Sequence, residues 1–494
     1  MAESADAQSI GAHRAPLQFP EPPTDLQRPR WWLSLKYFGP GAIIASVTIG
    51  SGETVWASRS GAIFGYTLFW AFTVLIVMKA VQVYTAARYF TLTGEHPAER
   101  WAQLPGPRGW FPGFTGLFVI ITFPMFLSAL PIMLGTITAW IVTGDPGRHP
   151  HVWATVFILL FIGLTLAQSY GFFEKAQTVI VLLMLLVMVI ATLAAKPNWL
   201  AAFLGAVVPT APRYEEWVQV QYPEIARRTL WIELVAYMGV IGGGVQDYVG
   251  YVGMMREKKW GLIGARTEVN AHAPIAADEE NVRRGRLWLR APTLDVVVSF
   301  GSVIFFCMTF LILGAVLLHE KKIVPTDKAM DLYTQQVVFL TQLHQNPTVQ
   351  SCLRWLYQLG VWCAIAGTVY GAYEIYVRTA YECIRASVPK WRGLDLSVFR
   401  RWTLLYTGVA GIALVWIAYA TKWGPLSIMT IPLHIAGVFL AGPWCFAMVW
   451  ADRKFLPKPF QMGWLLVVLN LLCGIAFTLF GARALYDDVI ALMK

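Results

Sequence analysis

Gly39-Pro40-Gly41, eight small or apolar residues, then Gly50-Ser51-Gly52-Glu53: this run lies in the first long apolar stretch of the chain and decides how the rest is read. Glycine at that density opposes a continuous helix, and inside a bilayer the freed backbone groups are tolerated only against protein or a wet cavity. A second run of the same kind, Gly239-Val240-Ile241-Gly242-Gly243-Gly244-Val245-Gln246-Asp247, falls in the sixth apolar stretch. Small residues that merely let helices approach would account for the glycines, but not for an acid beside each run. A carboxylate at membrane depth costs several kcal/mol and marks function by default. Two Gly-interrupted, acid-bearing segments in matching positions, first and sixth, predict an inverted-repeat transporter with its site at the repeat interface.

The surrounding composition agrees. Of 494 residues 56% are hydrophobic, 22 are tryptophan and only 14% are charged, where a soluble domain has about a quarter. Apolar runs of about 20 residues, long enough for roughly 30 Å of hydrocarbon, lie near 36–58, 66–90, 115–143, 152–169, 175–195, 229–253, 296–318, 355–380, 402–420, 427–450 and 463–482. The predicted fold class is therefore an all-α polytopic membrane protein of about eleven transmembrane helices, with helices one and six unwound at the midplane. The divisions that follow are a disordered cytoplasmic tail (1–35), a first five-helix repeat (36–195), an external connection (196–228), a second repeat (229–450) and an eleventh helix with a short external C-terminus (451–494). The second repeat carries a cytoplasmic loop, 255–294, and an external loop, 319–353.

The formal net charge of +10 is a matter of topology and not of nucleic-acid binding, because the basic residues sort by loop. Arg256, Lys258, Lys259, Arg266, Arg283, Arg284, Arg286 and Arg290 follow the sixth run; Arg385, Lys390, Arg392, Arg400 and Arg401 follow the eighth. With Arg28, Arg30, Arg100, Arg108, Arg453 and Lys454 they place the N-terminus in the cytoplasm and, after an odd number of spans, the C-terminus outside. The six cysteines have no metal or redox spacing, and Cys307, Cys363, Cys445 and Cys473 fall within apolar runs. Neither loop is long enough for a catalytic domain, no nucleotide-binding P-loop is present, and no catalytic residue or cofactor is predicted.

At these residues the chain resembles the Nramp family of proton-coupled divalent-metal transporters. In that family Gly-Pro-Gly is followed after eight residues by Asp-Pro-Gly-Asn and then by a segment like AGAQFGYSLLW; here the spacing is the same, with GSGE at 50–53 and SGAIFGYTLFW at 60–70. VQVYTAARYFTLTGEHPAE (81–99), GTITA (135–139) and Asp295 resemble the family's helices two, three and seven. The resemblance implies a LeuT-like inverted 5+5 repeat plus one helix. It also exposes departures. Gly50 stands where the family's metal-binding aspartate belongs and Glu53 where its asparagine does. In helix six Gln246 takes the place of the metal-binding methionine, Asp247 that of the proline and Tyr248 that of the histidine, while Ala129 and Ile132 fall where the family has acids for proton transfer.

Losing the thioether and gaining Glu53 and Asp247 makes a harder site, suited to Mg²⁺ or Mn²⁺. The opposite reading starts from the lost prolines: Ser51 and Asp247 restore N–H groups beside half-helix N-termini, which attract anions, so an oxyanion such as bicarbonate is the leading expected cargo, with a hard divalent cation next. A non-transporting sensor or a channel on the same scaffold is a further alternative. The expected binding residues are Gly50, Ser51, Gly52, Glu53, Gly243, Gly244, Gln246 and Asp247, with Glu53 and Asp247 as the metal ligands if the cargo is a cation. Lys79, Tyr248, Tyr251, Thr430 and His434 are candidates for coupling or support; for Lys79 a structural pairing with Glu53 or Asp247 is an equal alternative. Glu374 and Arg378, one turn apart, read as an ion pair. The expected coupling ion is H⁺ or Na⁺, the partners are the bilayer and a small inorganic ion, and the transport unit is a monomer in the plasma (inner) membrane.

Overall fold

The computed structural model describes residues 16–28, 35–50, 52–167, 170–227, 230, 234, 237–239, 241–267, 273–325, 335, 337, 341 and 345–493. Helix α1 starts at Pro40, whose missing N–H costs nothing at a helix start, and runs Pro40–Thr48; after the break the chain resumes as a wide π-type turn, Gly52–Ala57, and a helix, Ser58–Phe64. Then follow α2 (Phe69–Thr93), α3 (Trp110–Thr143), α4 (Pro150–Ala167) and α5 (Tyr170–Ala194). The continuous part of α6 is Val245–Met254, and α7 (Arg290–Leu313), α8 (Pro347–Ser387) and α9 (Leu396–Thr421) come next. Helix α10 is itself interrupted, running Pro425–His434, a wide turn Ile435–Phe439, and Ala441–Phe455; α11 is Trp464–Met493.

Among the described residues seven helices are long and apolar enough to span a bilayer, and α5 joined to the sharply bent Trp199–Val207 makes an eighth. The three remaining apolar runs are α1 and α6, cut short by their breaks, and α8, which carries Glu374, Arg378 and Glu382. The core lies around α1, which is buried along its whole length and packs on α5, α6, α7 and α8. Helix α3 lies along α8 although Pro124 and Pro131 interrupt its hydrogen bonding. Large apolar side chains point outward from α4, α5, α9 and α11, among them Leu159, Leu186, Val409 and Leu472. Such surfaces are stable only against lipid.

At the end where the basic loops meet, ion pairs tie the helices together. Glu374 accepts from Arg378 at 2.8 Å and from Arg400 at 2.7 Å, so the predicted pair is a triad. Glu382 accepts from Arg256 at 2.8 Å, and Glu95 holds both Arg100 and Arg266. His96 joins this end to α6: the Ala98 N–H donates to Nδ1 at 3.2 Å, so Nε2–H faces the Val249 carbonyl at 3.2 Å. Burial lowers its pKa, consistent with that neutral tautomer.

One expectation is corrected here. Residues 16–28 do not form a disordered tail: Leu17, Phe19 and Leu26 are buried, Leu17 N–H donates to the Pro274 carbonyl at 2.7 Å, and Trp288 Nε1–H donates to the Pro20 carbonyl at 2.8 Å. The apolar residues spaced through this Pro-rich stretch seat against the loop helix Glu279–Trp288 and Phe460.

Candidate functional site

The Gly-Pro-Gly start of α1 is held by α7. Asp295 Oδ1 accepts from the Gly39 and Gly41 N–H groups, each at 3.0 Å, and Oδ2 accepts from the Tyr251 hydroxyl at 2.7 Å. The carboxylate thus caps two of the donors a helix N-terminus leaves open. Tyr251, a candidate for coupling or support, donates its hydroxyl to this cap.

The break in α1 closes largely on itself. Gly50 N–H donates to the Thr48 carbonyl at 2.9 Å, and the Gly50 carbonyl accepts from the Thr54 N–H at 3.1 Å and the Thr54 hydroxyl at 2.6 Å. Glycine is required at 50 by close approach: a Cβ there would overlap the Thr368 hydroxyl of α8. The volume an aspartate would need at this position belongs to Thr368. Ser51 lies outside the described residues, and Gly52 opens the wide turn that carries Glu53. Glu53 is fully buried; its Oε1 accepts from the Gly242 N–H at 2.9 Å, and its Oε2 has no donor among the described residues.

The break in α6 is held from outside. Gly242 and Gly243 take φ values of +74° and +76°, a left-handed turn that glycine alone adopts without strain. The ammonium of Lys79, from the middle of α2, donates to the carbonyls of Met238 (2.8 Å), Ile241 and Gly243 (2.6 Å). The hydrogen bonds of Lys79 thus go to the backbone, and Glu53 and Asp247 act on it by charge at longer range. The Tyr248 hydroxyl donates to the Gly242 carbonyl at 2.8 Å. Asp247 Oδ2 accepts from the Gly244 N–H at 2.7 Å and the Gln246 amide at 3.1 Å, capping the helix it begins.

Three of the N–H groups that an anion nest would draw on are spent at this break. The Asp247 N–H donates to the Gly244 carbonyl at 2.9 Å, the Gly242 N–H is taken by Glu53, and the Gly244 N–H is taken by Asp247. Left over at the two breaks are the acceptors Glu53 Oε2, Gln246 Oε1 and Asp247 Oδ1, buried and without a hydrogen bond among the described residues, the Tyr376 hydroxyl being the donor that lies beside Gln246 and Asp247.

A cavity of about 40 Å³ adjoins Gln246 and Asp247, lined also by Thr48, Thr368 and Tyr376 and walled by Phe126, Leu130, Met429 and Leu433. The Tyr376 hydroxyl lies close to Gln246 and Asp247. A cavity of that size holds one or two waters. Gly243 is on its rim, whereas Glu53 and Lys79 sit behind the α6 break. His434 is buried against Gly239 on the first half of α6, and the side chain of Thr430 lies outside the described residues, as does Glu233, which reads as a vestibule residue in the sequence. Thr368, Tyr376, Met429 and Leu433 carry no sequence signal of their own; they come from small-residue and apolar runs of α8 and α10 that only packing aims at the breaks.

A family model described as natural resistance-associated macrophage protein-like (Nramp) matches residues 41–487. Metal transporter Nramp6.2 of Populus trichocarpa is 28% identical over 153 residues, 30% of this chain and 26% of that protein. Metal transporter NRAT1 of Oryza sativa subsp. japonica is 29% identical over 149 residues, 29% of this chain and 25% of that protein. The matched segments thus span about a quarter of the length of each plant relative. Among solved structures, a manganese transporter of Eremococcus coleocola superposes with a TM-score of 0.67 at 15% identity, over 98% of this chain and 92% of that one. MhsT in complex with L-phenylalanine superposes with a TM-score of 0.54 at 10% identity, over 90% of this chain and 98% of that one. At these identities the likeness is one of fold, the LeuT-like arrangement.

Proposed function

The chain belongs to the Nramp family of membrane transporters, and from that premise we propose that it is a secondary transporter whose cargo is a hard, oxygen-seeking cation, Mg²⁺ or Mn²⁺, moved by alternating access. The observation that carries this is the pair of buried acceptors at the cavity, Gln246 Oε1 and Asp247 Oδ1, neither of which has a hydrogen bond among the described residues. A buried acceptor without a donor costs about 1–3 kcal/mol, and a bound cation removes that cost where an anion would add to it. The polar lining is oxygen-rich, with the carboxylate of Asp247, the carboxamide of Gln246 and the residues Thr48, Thr368 and Tyr376, while the Met429 thioether is in the wall. Oxygen ligands of this kind suit Mg²⁺ and Mn²⁺ and give no preference to softer metals. The oxyanion ranks below the cation because the Gly242, Gly244 and Asp247 amides, three of those it would draw on, are in use. Plant relatives named as metal transporters lend the same support.

Asp247 and Gln246 are assigned to the cargo, Glu53 and Lys79 to the break behind it, and H⁺ or Na⁺ to coupling. The basic end is placed in the cytoplasm by the positive-inside rule, and the monomer is the transport unit. A second reading has its own observation: the cavity walls Phe126, Leu130, Met429 and Leu433 are apolar and Lys79 offsets one of the two carboxylates, surroundings that also suit a small uncharged solute rich in hydroxyl donors.

Reconstitution in proteoliposomes decides between them. Uptake of Mg²⁺, Mn²⁺, bicarbonate and a panel of small neutral polyols is measured with and without H⁺ or Na⁺ gradients, for the parent, Glu53→Gln and Asp247→Asn. Saturable Mg²⁺ or Mn²⁺ uptake that Asp247→Asn lowers by about tenfold or more is the expected result. Bicarbonate uptake without cation uptake would reverse the assignment, and polyol uptake alone would establish the second reading.

A further inference from the structure

Lys79 is a full positive charge with no exposure, halfway along an apolar helix, and no ion pair within 4 Å joins it to a carboxylate among the described residues. An ammonium has three N–H donors, and all three are spent on backbone carbonyls of one short segment, Met238, Ile241 and Gly243. Those carbonyls are oriented by the left-handed turn at Gly242 and Gly243, and they form the negative end of the first half of α6, where helical carbonyls lose their partners. The fit is mutual: a Cβ on Gly242 would stand 3.1 Å from the Lys79 Cδ. Several backbone oxygens converging on one positive centre, with Glu53 and Asp247 adding negative charge at longer range, is the arrangement in which unwound transporter helices hold an alkali cation.

We propose that Lys79 is a tethered cation: its ammonium fills, from within the chain, the place that a monovalent coupling cation would otherwise take at the α6 break. The break is then set in its working geometry without Na⁺, and no Na⁺ is moved through this position. Shortening the side chain to a neutral residue empties a carbonyl-lined position of one positive charge and creates a site for Na⁺ or a small alkylammonium. This inference rests on the α6 break being part of the transport site, but its test reads stability and not flux, so it can fail or stand whatever the cargo proves to be.

The test uses the purified full-length chain in detergent, unfolded thermally at constant ionic strength in choline, Na⁺, K⁺ or methylammonium chloride. The parent is expected to unfold at one temperature in all four. Lys79→Ala is expected to lose on the order of 5 °C in choline, for three carbonyls that lose the ammonium, Gly243 keeping only the Tyr248 hydroxyl at 3.2 Å, and to regain most of it in methylammonium or Na⁺. Lys79→Met, which keeps the volume of the stem, should lose as much and regain nothing. Rescue of Lys79→Ala by neither cation would overturn the proposal and leave the lysine a structural tie, as would specific stabilisation of the parent by Na⁺. Should Lys79→Ala not fold, Lys79→Gln decides, since it keeps two donors without the charge: stability equal to the parent's in choline overturns the proposal, and a deficit made up by Na⁺ supports it.

Discussion

The two breaks look alike in sequence and are built differently. At the α1 break the freed groups find partners within the same few residues: Thr48, Gly50 and Thr54 bond to one another. At the α6 break the partners come from elsewhere, Lys79 from α2 and Glu53 from the far side of the α1 break, with Tyr248 returning from the helix beyond. The first break is thus closed mostly within itself, with one bond from α8, the Thr368 hydroxyl to the Ser46 carbonyl at 3.1 Å, and the second exists only in the packed bundle. The acid of the first serves the second, since Glu53 closes nothing on α1 and instead takes the Gly242 N–H. In an alternating-access transporter this asymmetry implies that α1 keeps its kink through the cycle while α6 changes partners.

The comparison can be broken most severely at Gly50. Gly50→Asp, which restores the residue type the family carries, should cost about 3 kcal/mol or more because its Cβ meets Thr368 and its charge is buried without a partner. Thermal unfolding measures the loss, and adding Thr368→Ala should recover much of it and raise Mn²⁺ binding; an undiminished single variant would mean that the α8 contact does not exclude the aspartate. Asp247→Ala comes next, at about 1–2 kcal/mol for the lost cap, together with loss of cation-dependent stabilisation. Tyr248→Phe should cost about 1 kcal/mol, the worth of its bond to the Gly242 carbonyl. Smallest is Thr54→Val, about 0.5 kcal/mol or less, because the Thr54 N–H still serves the Gly50 carbonyl. If Thr54→Val proved costlier than Tyr248→Phe, the contrast between a break closed mostly within itself and a supported one would be wrong.

Much of this was open to a reader of the sequence. The apolar runs, the glycine clusters and the acids beside them sit on the chain where the helices and breaks are found, since bilayer transfer and helix propensity both act residue by residue. Glu374 and Arg378 pair because one helical turn separates them. The donors at the α6 break are a definite point that sequence alone leaves open: the Asp247 N–H is used inside its own helix turn and its carboxylate takes the Gly244 N–H. A count of donors along the chain cannot show which are spent. The N-terminal stretch was misread for a related reason, as Leu17, Phe19 and Leu26 are too sparse to signal a core and are buried only because the loop helix and Phe460 offer them a surface.

The sequence by itself determined that this chain is a bundle of apolar helices broken twice, because the cost of placing each residue in hydrocarbon and the reluctance of glycine to stay helical are local properties. Only the tertiary structure decided that Lys79 caps one break, that Glu53 crosses from one break to the other and that Thr368 holds the space at Gly50. A carbonyl or amide released in a dry interior must be met by a partner that is near in space, and the distance along the chain from Lys79 to Gly243 or from Gly50 to Thr368 says nothing about which partner that is.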